Sequence, residues 1–253
     1  MTAGASIEAL NTDLKVGLAF LTRLPFAGTS GADVARASWN FPVIGVGIGL
    51  IGAFVVWIAD GLGLHPFISG TLAIAVIVLI TGCLHEDGLA DMVDGFGGGG
   101  SPMLKLEIMR DSRVGAYGTS ALILSFMLRA GAIASLADPS FIAPALIAAE
   151  AGARATMPLF MRLVPPARQD GLSAEAGKPP QRAALIATLI GFIVLVLCLG
   201  FGGGLLAAML VAVAIVLLAW LCMSQIGGQT GDVLGAVEQV SEVLILLVAA
   251  VWL

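Results

Sequence analysis

The stretch HEDGLADMVDG, residues 85–95, puts one histidine and four carboxylates into a short run of a chain with only 11% charged residues. Asp87, Asp91 and Asp94 recur at i, i+4 and i+7, so on a helix all three project from one face. Left alone they repel. Carboxylate oxygens stacked in this way suit a hard divalent cation such as Mg2+, which makes Asp87, Asp91 and Asp94 candidate catalytic metal ligands. Glu86, about a quarter turn away, is a further candidate ligand or a bridge between two ions. Gly88 and Gly95 leave room for a bulky phosphate beside the acids. A solvated acidic loop is the plainer alternative, but the tight phasing next to an apolar span, where idle ionisable groups are costly, speaks against it. His85 reads equally well as a hydrogen-bonded structural residue or as a ligand.

The run continues as GFGGGGSPMLKLEIMRDSR, in which Ser101 and Pro102 are the N-cap and first residue of a short helix. Lys105, Arg110 and Arg113 then bring positive charge back towards the carboxylates. Ion pairing would satisfy them, yet a cation site beside guanidinium groups is also how proteins hold a pyrophosphate. Two other places carry charge inside apolar runs. Glu150 and Arg154, one helical turn apart, are either a self-contained ion pair or part of a site. Arg129, near the outer end of its run, is expected to snorkel. Near the end, GGQTGDVLGAVEQVSE sets Asp232 at a helix start, with Glu238 and Glu242 further in. Asp232 is either an N-cap or a fourth member of the acidic site, acting as ligand or base and facing Arg110, Arg113 and Arg154 across a pyrophosphate.

The elements that must position these residues belong in a bilayer. A mean hydropathy of +1.02, 58% hydrophobic residues and 33 glycines set the chain apart from soluble domains. Candidate spans fall at about 40–59, 66–84, 114–136, 140–162, 183–201, 205–226 and 233–253, with the break in the long apolar run at Gly200, Gly202, Gly203 and Gly204. Lysines and arginines occupy residues 1–38, 84–113 and 162–182, whereas the connections near 60–66, 137–139 and 202–204 have none. The positive-inside rule therefore puts the N-terminus and the long loops in the cytoplasm. Ile7, Leu10, Leu14, Leu18 and Leu21 repeat at helical spacing and predict an amphipathic helix on the membrane surface within residues 1–30. The expected architecture is an all-α polytopic membrane bundle of about seven spans. It forms one catalytic domain, residues 1–253, with an acidic cytoplasmic segment at 84–113 and a polar cytoplasmic loop at 163–182. No internal repeat, second domain or signal peptide is recognisable. Cys83, Cys198 and Cys222 have no metal or redox spacing. With no basic stripe, a nucleic-acid partner is excluded; a homo-oligomer is compatible with the sequence.

HEDGLADMVDGFGG followed by LEIMRDSRVGAYG, with FLTRLP and SWNFPVIG upstream, VPPARQDGLSAEAGKP between and GGQTGDVLGAVEQ near the end, resembles the bacterial cobalamin synthase, or adenosylcobinamide-GDP ribazoletransferase, family over essentially the whole chain. Met92 and Val93 stand where smaller or more polar residues are expected, and Gln229 sits in a glycine-rich turn. The resemblance implies a multi-pass inner-membrane enzyme with its site facing the cytoplasm. Such an enzyme joins α-ribazole or its 5′-phosphate to adenosylcobinamide-GDP with release of GMP, using Mg2+. The residues expected to bind substrate are His85, Lys105, Arg110, Asp111, Arg113, Arg154 and Arg162. Two other classes stay open on spacing alone. A phosphotransferase of the CDP-alcohol type uses a similarly phased acidic helix, and an ion-coupled transporter keeps charges in its spans, although typically at the midplane of repeated halves.

Overall fold

The computed structural model describes residues 3–25, 31–136 and 138–253, without the side chains of 3–7 and 31–33. These residues form helices α1 (Ala3–Leu21), α2 (Gly31–Ala37), α3 (Phe41–Gly61), α4 (Pro66–Thr81), α5 (Leu84–Gly98), α6 (Pro102–Ile108), α7 (Ala116–Ser135), α8 (Ile142–Leu163), α9 (Leu172–Ala176), α10 (Gln181–Ile226) and α11 (Gly231–Trp252). Among the described residues the only β-type contact is one bridge, Pro166 to Gln229. The helix starts follow local chemistry. Ser101 Oγ accepts from Leu104 N at 3.3 Å with Pro102 at the first position of α6, as its sequence predicts. Thr230, not Asp232, caps α11: its hydroxyl accepts from Val233 N at 3.3 Å and donates to Asp232 at 3.1 Å.

The bundle is organised around α8, which packs against α3, α10 and α11. Its small residues Ala145, Ala148, Ala149, Ala151 and Ala153 are fully buried, so its neighbours approach closely. A Cβ built on Gly45 of α3 would lie 2.3 Å from the carbonyl oxygen of Glu150, and one on Gly49 would lie 2.7 Å from Ile147 Cα. The outside of the bundle is apolar, with Trp57, Leu79, Leu197 and Val251 between 71% and 87% exposed. That is the inverse of a soluble surface and what lipid requires.

Four helical stretches are long and apolar enough to cross a membrane, Val34–Gly61, Ala116–Ser135, Gln181–Ile226 and Gly231–Trp252, and a fifth results if α4 and α5, bent by 90°, count as one span. The expected seven is not reached by this measure for two physical reasons. First, α8 carries Glu150, Arg154 and Arg162. Second, the stretches 183–201 and 205–226 form one element, broken at Gly200 with φ 70° and ψ 169°. There the chain turns so far that Gly204 packs on the backbone of Val196, as the glycine cluster predicts. The N-terminal segment is helical, but its buried face holds Asp13, Val16 and Leu21, while Leu10 is exposed. Asp13 ties α1 down by accepting from Trp39 Nε1 at 2.8 Å and, through its carbonyl, from Asn40 Nδ2 at 2.6 Å. The side chain of Ile7 lies outside the described residues.

Gly45→Val is expected to lower the thermal unfolding midpoint in detergent, because overpacking a closed contact costs about 1–3 kcal/mol. An unchanged midpoint would mean that α3 and α8 do not meet at Gly45.

Candidate active site

The acidic segment becomes a separate helix because the chain breaks just before it. Gly82 and Cys83 both adopt left-handed backbone, with φ 67° and 58°, and turn α5 by 90° from α4. Arg23, from the FLTRLP stretch, braces the bend: its N–H donates to the Ile80 carbonyl at 2.7 Å and its side chain fills the space beside Gly82. From there α5 crosses α11 in near backbone contact. A Cβ on Gly88 would meet the carbonyl oxygen of Asp232 at 2.9 Å and Gly235 Cα at 3.1 Å. Gly88 therefore serves a helix crossing while also lining the acidic cavity, whereas the space beside Gly95 is taken by Met109 and Lys105, so Gly95 leaves no opening for phosphate.

The crossing brings Asp87 and Asp232 to one cavity of about 260 Å³, although they are 145 positions apart in sequence. Arg168 lines the same cavity, its Nη2 3.6 Å from the Asp232 carboxylate and its Nε 3.6 Å from Asp170. Asp170 in turn takes both of its short bonds, 2.7 and 2.6 Å, from Arg110 Nη2. A strip of alternating charge, Arg110, Asp170, Arg168, Asp232, thus runs from α6 to α11. The 163–182 loop that carries Arg168 is docked by backbone bonds of 2.8 Å from Gln229 N to Pro165 O and from Ala167 N to Gln229 O. Ser173 Oγ adds a 2.7 Å bond to the side chain of the buried Gln229. Asp91 interacts electrostatically with Asp87, Asp232, Asp94 and Arg168. Asp94 shares their helix face, but its carboxylate accepts from Gly115 N at 2.6 Å and Gly118 N at 2.9 Å, so it sits on the N-terminus of α7. Among the described residues no three His, Cys, Asp or Glu side chains converge tightly enough to form a metal cage as they stand. The donor set nonetheless suits a hard cation: Asp87, Asp91 and Asp232 share one neighbourhood with Arg168, a surplus of negative charge that oxygen-seeking Mg2+ would offset.

Glu86 belongs elsewhere. It points into the bundle, where Arg129 Nη1 donates to it at 2.9 Å, and the other side of Arg129 meets Glu242 at 2.8 Å. Arg129 has no exposed surface, so the expectation that it snorkels is overturned: three buried partners on α5 and α11, Glu86, Gln239 and Glu242, hold it inside. Gln239 Nε2 lies 3.4, 3.1 and 3.2 Å from carboxylate oxygens of Glu86, Glu238 and Glu242. Arg154 pairs with Glu150 and also, at 2.8 Å, with Glu238, and lies 3.4 Å from His85 Nδ1. Glu150 and Arg154 are therefore not a self-contained pair, and Arg154, 1% exposed, is enclosed in the bundle and does not line the acidic cavity. His85 is 3.3 Å from Glu238 and equally enclosed, while lining the inner end of the acidic cavity.

The remaining basic candidates are engaged away from the aspartates. Lys105 Nζ donates to the Phe96 carbonyl at 3.0 Å and closes the turn after α5. Arg113 forks onto Asp111 at the surface, and its hydrogen bonds hold that carboxyl down at about 2. Arg162 donates to the Pro179 carbonyl at 3.0 Å and lines a different cavity, with Lys178. Sequence reasoning missed Arg168. The signals were its place in the VPPARQDGLSAEAGKP stretch that carries the family resemblance and in a polar loop, with nothing local to say that the loop folds over Asp232.

With the geometry in view, the chain matches the profile of the family described as cobalamin-5-phosphate synthase over residues 13–250. Among curated proteins it is 52% identical to the adenosylcobinamide-GDP ribazoletransferase of Bradyrhizobium diazoefficiens, over 97% of this chain and 95% of that one. It is 48% identical to the enzyme of that name from Mesorhizobium japonicum, over 94% and 93%. For that of Azorhizobium caulinodans the identity is 42%, over 93% and 94%. No solved structure gives a significant match.

Arg129→Leu is expected to destabilise the protein by about 3–5 kcal/mol, because it strands Glu86 and Glu242 without their cation. The measurement is thermal unfolding in detergent. A variant as stable as the parent would show that the pair is not needed to hold α5.

Proposed function

The chain belongs to the cobalamin-5-phosphate synthase family, and from that premise we propose that it transfers α-ribazole, or its 5′-phosphate, to adenosylcobinamide-GDP with release of GMP, late in cobalamin assembly. The observation that carries this reading is the meeting of Asp87 and Asp232 with Arg168 at one cavity. A ribose hydroxyl attacks the phosphorus next to the corrinoid. One P–O bond forms, the pyrophosphate P–O bond breaks, and the electron pair leaves on GMP. Asp232, held by Thr230, takes the hydroxyl proton. Arg168 lies beside the phosphoryl oxygens, where its fixed positive charge favours the transition state over the ground state. Asp87 and Asp91 would hold Mg2+, which would supply Lewis-acid neutralisation of phosphoryl charge. Asp94 acts through structure, fixing the end of α5 to α7.

These roles belong to a single domain, residues 1–253. Counting the two arms of α10 separately, together with α3, α4, α7, α8 and α11, gives seven crossings, with α5 and the 163–182 loop at the cytoplasmic side of the inner membrane. α1 lies along the surface with Leu10 towards lipid. This arrangement agrees with the distribution of lysine and arginine.

Asp87→Asn, Asp91→Asn and Asp232→Asn should each lower turnover by about 100-fold or more while the protein stays folded, the loss of a group acting on the reacting phosphate. Asp94→Asn should lose thermal stability as well. Chelation with EDTA should abolish turnover and Mg2+ restore it. Near-parental activity in two of the first three variants, or turnover untouched by EDTA, would overturn the assignment. Cysteines placed at Lys105 and Lys178 should react with thiol reagent from the cytoplasmic side and one at His65 from the other. Labelling of 105 and 65 from the same side contradicts the seven-crossing reading.

A further inference from the structure

The acidic cavity has two kinds of wall. Asp87, Asp232, Arg168, His85 and Ser173 are its polar lining, and Phe20, Leu84, Met157, Leu172 and Leu234 its apolar lining. Phe20 is held in place by stacking on the buried Phe41, with ring centroids 5.6 Å apart. We propose that this cavity is the subsite for the nucleoside acceptor, with its alkylated aromatic base on the apolar wall and its sugar at Asp87 and Asp232. The proposal rests on the transferase reading above and adds which substrate sits where.

Three observations carry it. A reacting hydroxyl must come within hydrogen-bond reach of the group that takes its proton, so the acceptor's sugar lies at the carboxylates. In a nucleoside the base is only one sugar ring away, so it falls on the lining that adjoins them, which apart from His85 and Ser173 is apolar or glycine. The volume, about 260 Å³, is below the roughly 300–1,000 Å³ that holds drug-sized ligands. It therefore suits a nucleoside and excludes a corrin ring, so the corrin of the bulky donor stays outside the cavity. Chemistry also discriminates between the bases present. Guanine carries donors and acceptors around its edge, and burying one unpaired costs about 1–3 kcal/mol. A methylated benzimidazole keeps one ring nitrogen as an acceptor, but its methylated edge is apolar and leaves nothing unpaired against Leu84, Met157, Leu172 and Leu234. The guanine nucleotide of the donor is accordingly kept out of this space.

Leu172 is 56% exposed on a five-residue helix, so it can be enlarged without disturbing the bundle. The full-length protein in nanodiscs is assayed with α-ribazole and adenosylcobinamide-GDP varied independently. Leu172→Trp should raise the KM for α-ribazole about tenfold or more and move that of the donor by less than about twofold. Leu197→Trp, on the lipid-facing outside, is the control and should shift neither. Phe20→Ala should weaken equilibrium binding of α-ribazole measured without donor, and guanosine should not compete for that binding. If folded Leu172→Trp raises the donor KM instead, or changes neither KM, or if guanosine competes as well as α-ribazole does, the subsite is wrong. If the parent protein forms no cobalamin product at all, the transferase reading fails, and the binding measurements then test the subsite separately.

Discussion

The arrangement depends on a set of charges buried where a membrane protein can least tolerate them. Glu86, Arg129, Glu238, Gln239 and Glu242 join α5, α7 and α11, and Arg154 with Glu150 extends the set into α8. Taking each ion out of water costs several kcal/mol, and only close, multiply bonded partners offset it. Such a set tolerates one register. Sliding α5 by one residue would turn it about 100° and carry Glu86 away from Arg129. The same rotation separates Glu86 from its neighbour in sequence: one carboxylate faces the core and the next, Asp87, faces the cleft. Locking the first aims the second.

The cleft side is built in the opposite manner, from loops and helix ends. Gly88 and Gly235 let α5 and α11 touch by backbone, which sets Asp87 beside Asp232. The 163–182 loop then lies over this crossing, held by paired backbone bonds to Gln229, and delivers Arg168. A side chain on a loop is usually placed with less precision than one on a helix. Here the loop is anchored at both faces, through Gln229 and Ser173 on one side and through Asp170 to Arg110 on the other. The cationic residues next to the aspartates in sequence do other work, closing the turn after α5 or tying α6 to the loop.

A single side of the bundle thus combines a rigid charged interior with a polar mouth and an apolar pocket. Ion pairs inside leave little freedom to α5, and the 90° bend before it turns the helix away from the line of α4. In the proposed arrangement the carboxylates stay at the cytoplasmic edge while their helix is held by α7 and α11.

Composition alone determined the environment, since no soluble fold can hide so much apolar surface. Period fixed the helices, the glycines at 200–204 marked the reversal in α10, and the i, i+4, i+7 phasing put Asp87 and Asp91 on one face. These are local properties, carried by neighbours along the chain. What the sequence could not determine was which partner each charge would find. Glu86 and Asp87 look alike in a string of letters. Arg129 near a helix end resembles a snorkelling residue until Glu86 and Glu242, 43 and 113 positions away, are seen around it. Arg168 looks like one loop cation among several until the loop docks beside Asp232. Ion pairing acts through space at about 3 Å and is indifferent to sequence separation. Only the packing of α5 against α7, α8 and α11 could decide which charges were structural and which were left for chemistry.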